Sequence, residues 1–114
     1  MAYTVIWHPD ARAERESSWP EGEKVAMRHA AQKLEAAGPN LRAPHSSAVM
    51  GSDVPGLREL RPRAGRSRWR PLYRRATAST FLILAVAPEA QIDKRGFAAA
   101  VKRAAERNAD TDFE

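Results

Sequence analysis

Between Leu57 and Arg75 stand eight arginines: Arg58, Arg61, Arg63, Arg66, Arg68, Arg70, Arg74 and Arg75. Glu59 is the one acid among them, and the stretch has no lysine. A planar guanidinium grips phosphate oxygens in pairs and stacks on bases, which a lysine ammonium cannot do. Trp69 and Tyr73 lie among the arginines and offer flat surfaces for unpaired bases. Glu59 can pair with one arginine and leaves most of the others unmatched. A fold tolerates such self-repulsion best when its partner is a polyanion. The chemistry expected of the stretch is therefore recognition of nucleic acid or nucleotide phosphate. The competing reading is a solvated strand pair whose arginine stems cover apolar surface.

Other reactive groups are sparse. His8, His29 and His45 have no metal-ligand spacing, and a three-histidine site would need them to converge from three separate elements. His45 falls in a loop just before the arginine stretch and could approach its face. No Gly-rich phosphate loop, Walker motif or Ser/His/Asp arrangement is present. With no cysteine, a disulfide scaffold, a thiolate zinc site and a cysteine nucleophile are excluded together.

The elements that position these residues belong to a chain of 114 residues with a formal charge of +5. That length carries one modest core. The arginine stretch alone contributes +7, and the segments on either side carry −1 each, so the basicity is a stripe. Residues 1–16 hold no apolar signal core. The longest uncharged run, Ala76 to Pro88, is too short to span a bilayer core of about 30 Å as a helix. These features imply a cytoplasmic protein without a membrane partner.

Tyr3 to Trp7 is β-branched and aromatic and reads as a first strand ended by Pro9. Pro9 to Glu16 suits a short helix. Ser18 and Glu21 fit a capping box, and Met27, Ala30, Ala31, Leu34 and Ala37 recur at helical spacing until Gly38-Pro39. That gives a second helix over about 19–37. Gly38 to Gly56 reads as a loop. Leu57 to Arg63, the turn Ala64-Gly65-Arg66-Ser67, and Arg68 to Arg75 read as a hairpin, with Gly65 at the turn. Pro71 inside the return strand implies a bulge or an unpaired position. Thr80 to Ala87 is apolar on both faces and suits a central strand. Asp93 caps a last helix bearing Phe97, Ala100, Val101, Ala104 and Ala105. The expected domain is residues 1–107, with a frayed tail over 108–114.

The resulting order is β-α-α-β-β-β-α: an α+β domain with a small twisted antiparallel sheet and helices on one face. Alternation along strands places Glu59, Arg61 and Arg63 on one side of the first basic strand, and Arg68, Arg70 and Arg74 on one side of the second. If those sides coincide, five guanidiniums crowd the open face of the sheet.

Leu57-Arg58-Glu59-Leu60-Arg61 and Trp69-Arg70-Pro71-Leu72-Tyr73-Arg74, in this element order, resemble the RelE/ParE toxin superfamily. The resemblance is to its HigB-like branch, which includes phage-derived Gp49-like proteins, and it is good over about residues 56–107. It implies a RelE-like fold and a type II toxin that cleaves mRNA on the ribosome. In that chemistry the ribose 2′-hydroxyl attacks the neighbouring phosphate and leaves a cyclic phosphate, with no metal or small-molecule cofactor. By position, Arg61 falls on a basic site of the first hairpin strand and Arg70 on the phosphate-binding arginine. Glu59 falls on a glutamate that acts as a base or, in the favoured reading, holds an arginine. Relatives carry a proton donor after the apolar strand, whereas Ala87 to Asp93 has no Lys, Arg, His or Tyr. The nearest substitutes are Lys94 and Arg95 at the helix start, or His45 from the loop. Arg58, Arg63, Arg66, Arg68, Arg74 and Trp69 would contact RNA phosphate or bases. The resemblance also implies a cognate antitoxin, of helix-turn-helix type, that covers the arginine face. Two further readings stand beside it: a ParE-type inhibitor of gyrase, and a relative that binds nucleic acid without cutting it.

Overall fold

In the computed structural model, which describes residues 2–17 and 20–111, the element order follows the hydrophobic pattern closely. Strand β1 (Thr4–Trp7) leads into helix α1 (Pro9–Glu16), and α2 (Glu21–Ala37) follows. The Ser18 cap expected for α2 lies outside the described residues, and Pro20 stands at the helix N-cap. Gly38 ends α2 at φ +57, where the Tyr3 ring packs so closely that a Cβ would collide with it. The segment expected to be a loop contains a short strand, β2 (Ser46–Ala48). Strands β3 (Arg58–Leu60), β4 (Trp69–Arg75) and β5 (Thr80–Pro88) come next, then α3 (Lys94–Ala109).

The class is α+β, and the sheet order is β1-β5-β4-β3-β2. Two details depart from expectation. The sheet is mixed, because β1 pairs parallel to β5 while the other pairings are antiparallel. Helices α1 and α2 supply the crossover that a parallel pairing needs. The helices also cover both faces of the sheet. Ala11, Ala30, Ala31 and Leu34 pack with Leu60, Tyr73, Phe81 and Ile83 on one side. Ala100 and Ala104 pack with Leu57, Leu72, Leu82 and Leu84 on the other. A strand apolar on both faces requires two covers, and Phe81 to Ala87 are all buried. The register between β4 and β5 shifts at Leu72/Tyr73, a bulge next to Pro71. Helix α3 also continues to Ala109, past the expected frayed end, and the Asn108 side chain accepts a hydrogen bond from Arg74. No helix among the described residues is long and apolar enough to cross a membrane.

Strand β1 pairs with β5 only as far as Ile83, and side chains continue the ladder beyond it. Glu14 of α1 accepts from the Val86 amide at 3.0 Å, and Arg107 of α3 donates to the Leu84 carbonyl at 2.8 Å. Two arginines of α3 close on Glu14, Arg103 at 3.0 Å and Arg107 at 2.9 Å. Burial pushes the Glu14 carboxyl up, but the Arg107 and Val86 hydrogen bonds outweigh it and hold it below the usual carboxylate range. The stability this carboxylate contributes is fully present above its unfolded pKa. It is lost as pH falls through the lower folded value. Glu14→Gln is expected to remove about 1.5–3 kcal/mol, the range for hydrogen bonds to a charged group, and to flatten the acid side of the stability–pH curve. Urea unfolding across pH measures both.

Candidate functional site

Glu59 pairs with Leu72 across β3 and β4, and Arg70 lies two residues before Leu72 on the same face. The two side chains therefore meet, Arg70 Nε standing 3.5 Å from a Glu59 carboxylate oxygen. Glu89, just past the end of β5, approaches the same guanidinium at 3.3 Å, and its amide donates to the Arg68 carbonyl at 2.7 Å. Arg70 is only 2 % exposed. Its Nη1 donates to the carbonyls of Ser67 and Trp69, and its Nη2 to that of Gly65. Three hydrogen bonds of the fork thus go to backbone carbonyls, and the two carboxylates flank it as ion pairs. Arg70 is a hub that holds two carboxylates and a turn, and its burial keeps it from an incoming phosphate in this geometry.

The turn that Arg70 holds is tightly wound. Arg63 and Ala64 take φ +55 and +57, and Gly65 follows at +91. Left-handed backbone costs a non-glycine residue about 1–2 kcal/mol, so Arg63 and Ala64 need compensation. Arg63 supplies it by reaching α2, donating to the Glu23 carboxylate and to the Gly22 carbonyl. Ser67 Oγ donates to the same carboxylate at 2.6 Å. Burial pushes Glu23 up, but these hydrogen bonds hold it below the usual range. At Gly65 the freedom of glycine is used twice, because a Cβ there would also stand 2.8 Å from the Arg61 guanidinium.

That guanidinium is the one the turn leaves for chemistry. Arg61 borders a small cleft of about 220 Å³ with Glu59, Arg70, Glu89 and Gln91. It also borders a larger groove against α2, about 640 Å³, with His45, His29 and Lys33. The Arg61 amide donates to the His45 carbonyl at 2.8 Å, which extends the β2–β3 pairing by one position and makes the two residues neighbours. Both carry a buried side-chain nitrogen without a hydrogen-bond partner among the described residues, Nε of Arg61 and Nδ1 of His45. Buried polar atoms are rarely left so, and a bound ligand is one way to satisfy them. Burial pushes the Glu59 carboxyl up, and although Arg70 and Arg61 pull it down, it settles above the usual range.

The arginines do not crowd one face. Arg58 donates to Ser46, Arg63 is clamped to α2, and Arg74 meets α3 at Asn108. Arg66 and Arg68, both exposed, border a separate hollow with Trp69 near the start of α2. Lys94 is exposed on the first turn of α3 and is not among the residues lining the Glu59 cleft. Nor is the stripe unmatched: Glu23, Glu59 and Glu89, from three elements, neutralise Arg63 and Arg70 internally. Glu89 is the residue of this cleft that sequence reasoning passed over. Its signal was an acid directly after the apolar strand, in a segment that carries no Lys, Arg, His or Tyr.

Residues 17–108 match the family described as phage-derived protein Gp49-like. No curated protein matches the chain. Among solved structures, a mutant of the Escherichia coli toxin RelE in its free state superposes with a TM-score of 0.62 at 18 % identity, covering 90 % of this chain and 98 % of that one. A chain of the toxin–antitoxin complex RelBE2 of Mycobacterium tuberculosis gives 0.58 at 22 % identity, over 75 % and 96 %. The archaeal RelE–RelB complex of Pyrococcus horikoshii gives 0.57 at 20 % identity, over 77 % and 96 %. At these identities the likeness is one of fold, which is RelE-like. The family match covers most of the chain, and the chain belongs to the Gp49-like phage-derived proteins.

Proposed function

We propose that this protein is the toxin of a type II toxin–antitoxin pair and cuts mRNA on the ribosome by in-line attack of a ribose 2′-hydroxyl on the adjacent phosphate. The observation that carries the reading is the cleft where a carboxyl of raised pKa, Glu59, lies beside an incompletely satisfied guanidinium, Arg61. The reaction needs a base for the 2′-proton, a cation for the charge that builds on the phosphorane, and an acid for the departing 5′-oxygen. Glu59 serves as base, its pKa raised toward working pH by burial. Arg61 serves as the preorganised cation. Arg70 does not touch substrate; it positions Glu59 and Glu89 and fixes the turn that carries Arg61. His45, backbone neighbour to Arg61 and a wall of the adjoining groove that Arg61 also lines, serves as the acid. Lys94 drops out of that role because it borders neither of the two hollows that Arg61 lines. In a cell the fold's partner is an antitoxin, as in the two RelE–RelB complexes it resembles.

Arg61→Ala tests the reading. Inducing the native protein in bacteria is expected to arrest growth and to produce new transcript 5′ ends, and Arg61→Ala is expected to abolish both. Growth arrest with DNA damage and no new 5′ ends would instead establish a gyrase poison. Binding without toxicity would establish a non-cutting relative.

A further inference from the structure

A second cleft, about 640 Å³, lies at the opposite end of β4, between the end of α2 and strands β2 and β3. Arg42, Arg58 and Arg75 border it, and no carboxylate does. Its floor is built: Ser46 and Tyr73, 1 % and 2 % exposed, share a hydrogen bond of 2.6 Å between their hydroxyls. Arg58 Nε donates to the same Ser46 oxygen at 3.0 Å. That anchor fixes the guanidinium and leaves its two η nitrogens without a partner among the described residues. Arg42 is exposed with no ion pair among them. Arg75 is held over the Phe81 ring, 5.9 Å from its centroid, and tied to the Ala78 carbonyl.

The geometry points to a second RNA-binding site, separate from the Glu59 cleft, in which Arg42 and Arg58 take backbone phosphates and Arg75 offers its outer plane to a base. Three guanidiniums with no acid among them, one locked by a buried hydroxyl pair, form a concentrated positive field in a concave wall. Arginine forks fit the oxygens of a phosphodiester bidentately. The Arg75 guanidinium, within cation–π reach of Phe81, is planar, and a flat face suits a base in a way that an acidic peptide would not use. Arg75 stands five residues along β4 from Arg70, about 16 Å at the rise of a strand, and alternation puts it on the other face of the sheet. The site therefore grips RNA away from the bond being cut and does not share substrate contacts with Arg61.

The test uses the intact protein and a fluorescein-labelled single-stranded 2′-O-methyl RNA, which has no free 2′-hydroxyl and so cannot be cut. Anisotropy titrations across a salt series give affinity and salt slope. The double variant Arg42→Gln/Arg58→Gln is expected to bind about tenfold more weakly or worse. Its slope of log K against log salt is expected to be shallower by about 0.7 for each phosphate that an arginine no longer neutralises. Glutamine at position 58 retains a donor for Ser46, and thermal melts check that the fold is kept. If they show otherwise, Arg42→Glu alone, on an exposed side chain, must weaken binding by the same order. Unchanged affinity and slope in these variants would overturn the site. So would polyglutamate displacing the RNA from the native protein as well as oligouridylate of matched charge does.

Discussion

Replacing Arg70 with Met is expected to cost about 3–5 kcal/mol of folding stability at neutral pH, the range for deleting one partner of a buried ion pair. Methionine fills similar volume without a charge, so the loss comes from what the guanidinium leaves behind. Glu59 and Glu89 would share one cleft with both their ion pairs gone and Arg61 alone left on its border. The carbonyls of Gly65, Ser67 and Trp69 would lose their donor in a turn that already holds two residues in left-handed backbone. The sign with pH follows. Acid protonates the stranded carboxylates and removes their repulsion, so the deficit shrinks as pH falls. Urea unfolding of both proteins at neutral and at mildly acidic pH measures it. A deficit under about 1 kcal/mol, unchanged by acid, would show that neither carboxylate depends on Arg70. The experiment also separates support from contact: Arg70→Lys keeps the charge and loses the fork, so a phosphate-touching residue would retain part of its effect where a hub would not.

Glu59→Gln carries the largest expected effect on activity, a loss of about 10²–10⁴ in RNA cleavage, the usual range for removing a general base. The amide keeps the shape of the side chain and cannot take a proton. In the native protein kcat/KM is expected to rise with pH up to the Glu59 pKa, which burial places above the ordinary carboxylate value. The variant is expected to lose that acid limb. Stability moves the other way. A carboxyl with a raised folded pKa adds stability below its unfolded pKa and loses it as pH rises through the folded value. Glu59→Gln is therefore expected to be no less stable than the native protein at neutral pH. A variant that keeps the acid limb would assign the base elsewhere; one that unfolds would make Glu59 the structural residue favoured from sequence alone.

Much of the fold was legible in the sequence because its elements advertise themselves locally. Pro9 sets the start of α1, Gly38 needs a left-handed φ where α2 stops, and Phe81 to Ala87 is apolar throughout. What stayed hidden depends on pairing over distance. Ser46-Ser47-Ala48 has no strand signal of its own and becomes β2 only because the edge of β3 is there to bond it. The parallel β1 follows from where two helices deliver the chain. The two-sided covering was implicit in the double-faced β5, but the pattern does not say which helix takes which face. The candidate site was half legible. Glu59, Arg61 and Arg70 stand together as the hairpin pattern implies, yet charge counting by segment missed that Glu23 and Glu89 arrive from other elements. Balance summed along the chain does not give balance in space.

The carboxylate and two guanidiniums that finish β5 beyond the end of β1 also determine how the molecule can come apart. Helices α1 and α3 lie on opposite faces of the sheet, and Glu14, Arg103 and Arg107 lash them together around its rim. Neither helix can lift away without releasing the other's charges. The two layers therefore open as one unit rather than peeling in turn. The Val86 amide, held by a side chain instead of a strand, becomes a single-site reporter of that event: its hydrogen exchanges with solvent only when the lashing lets go.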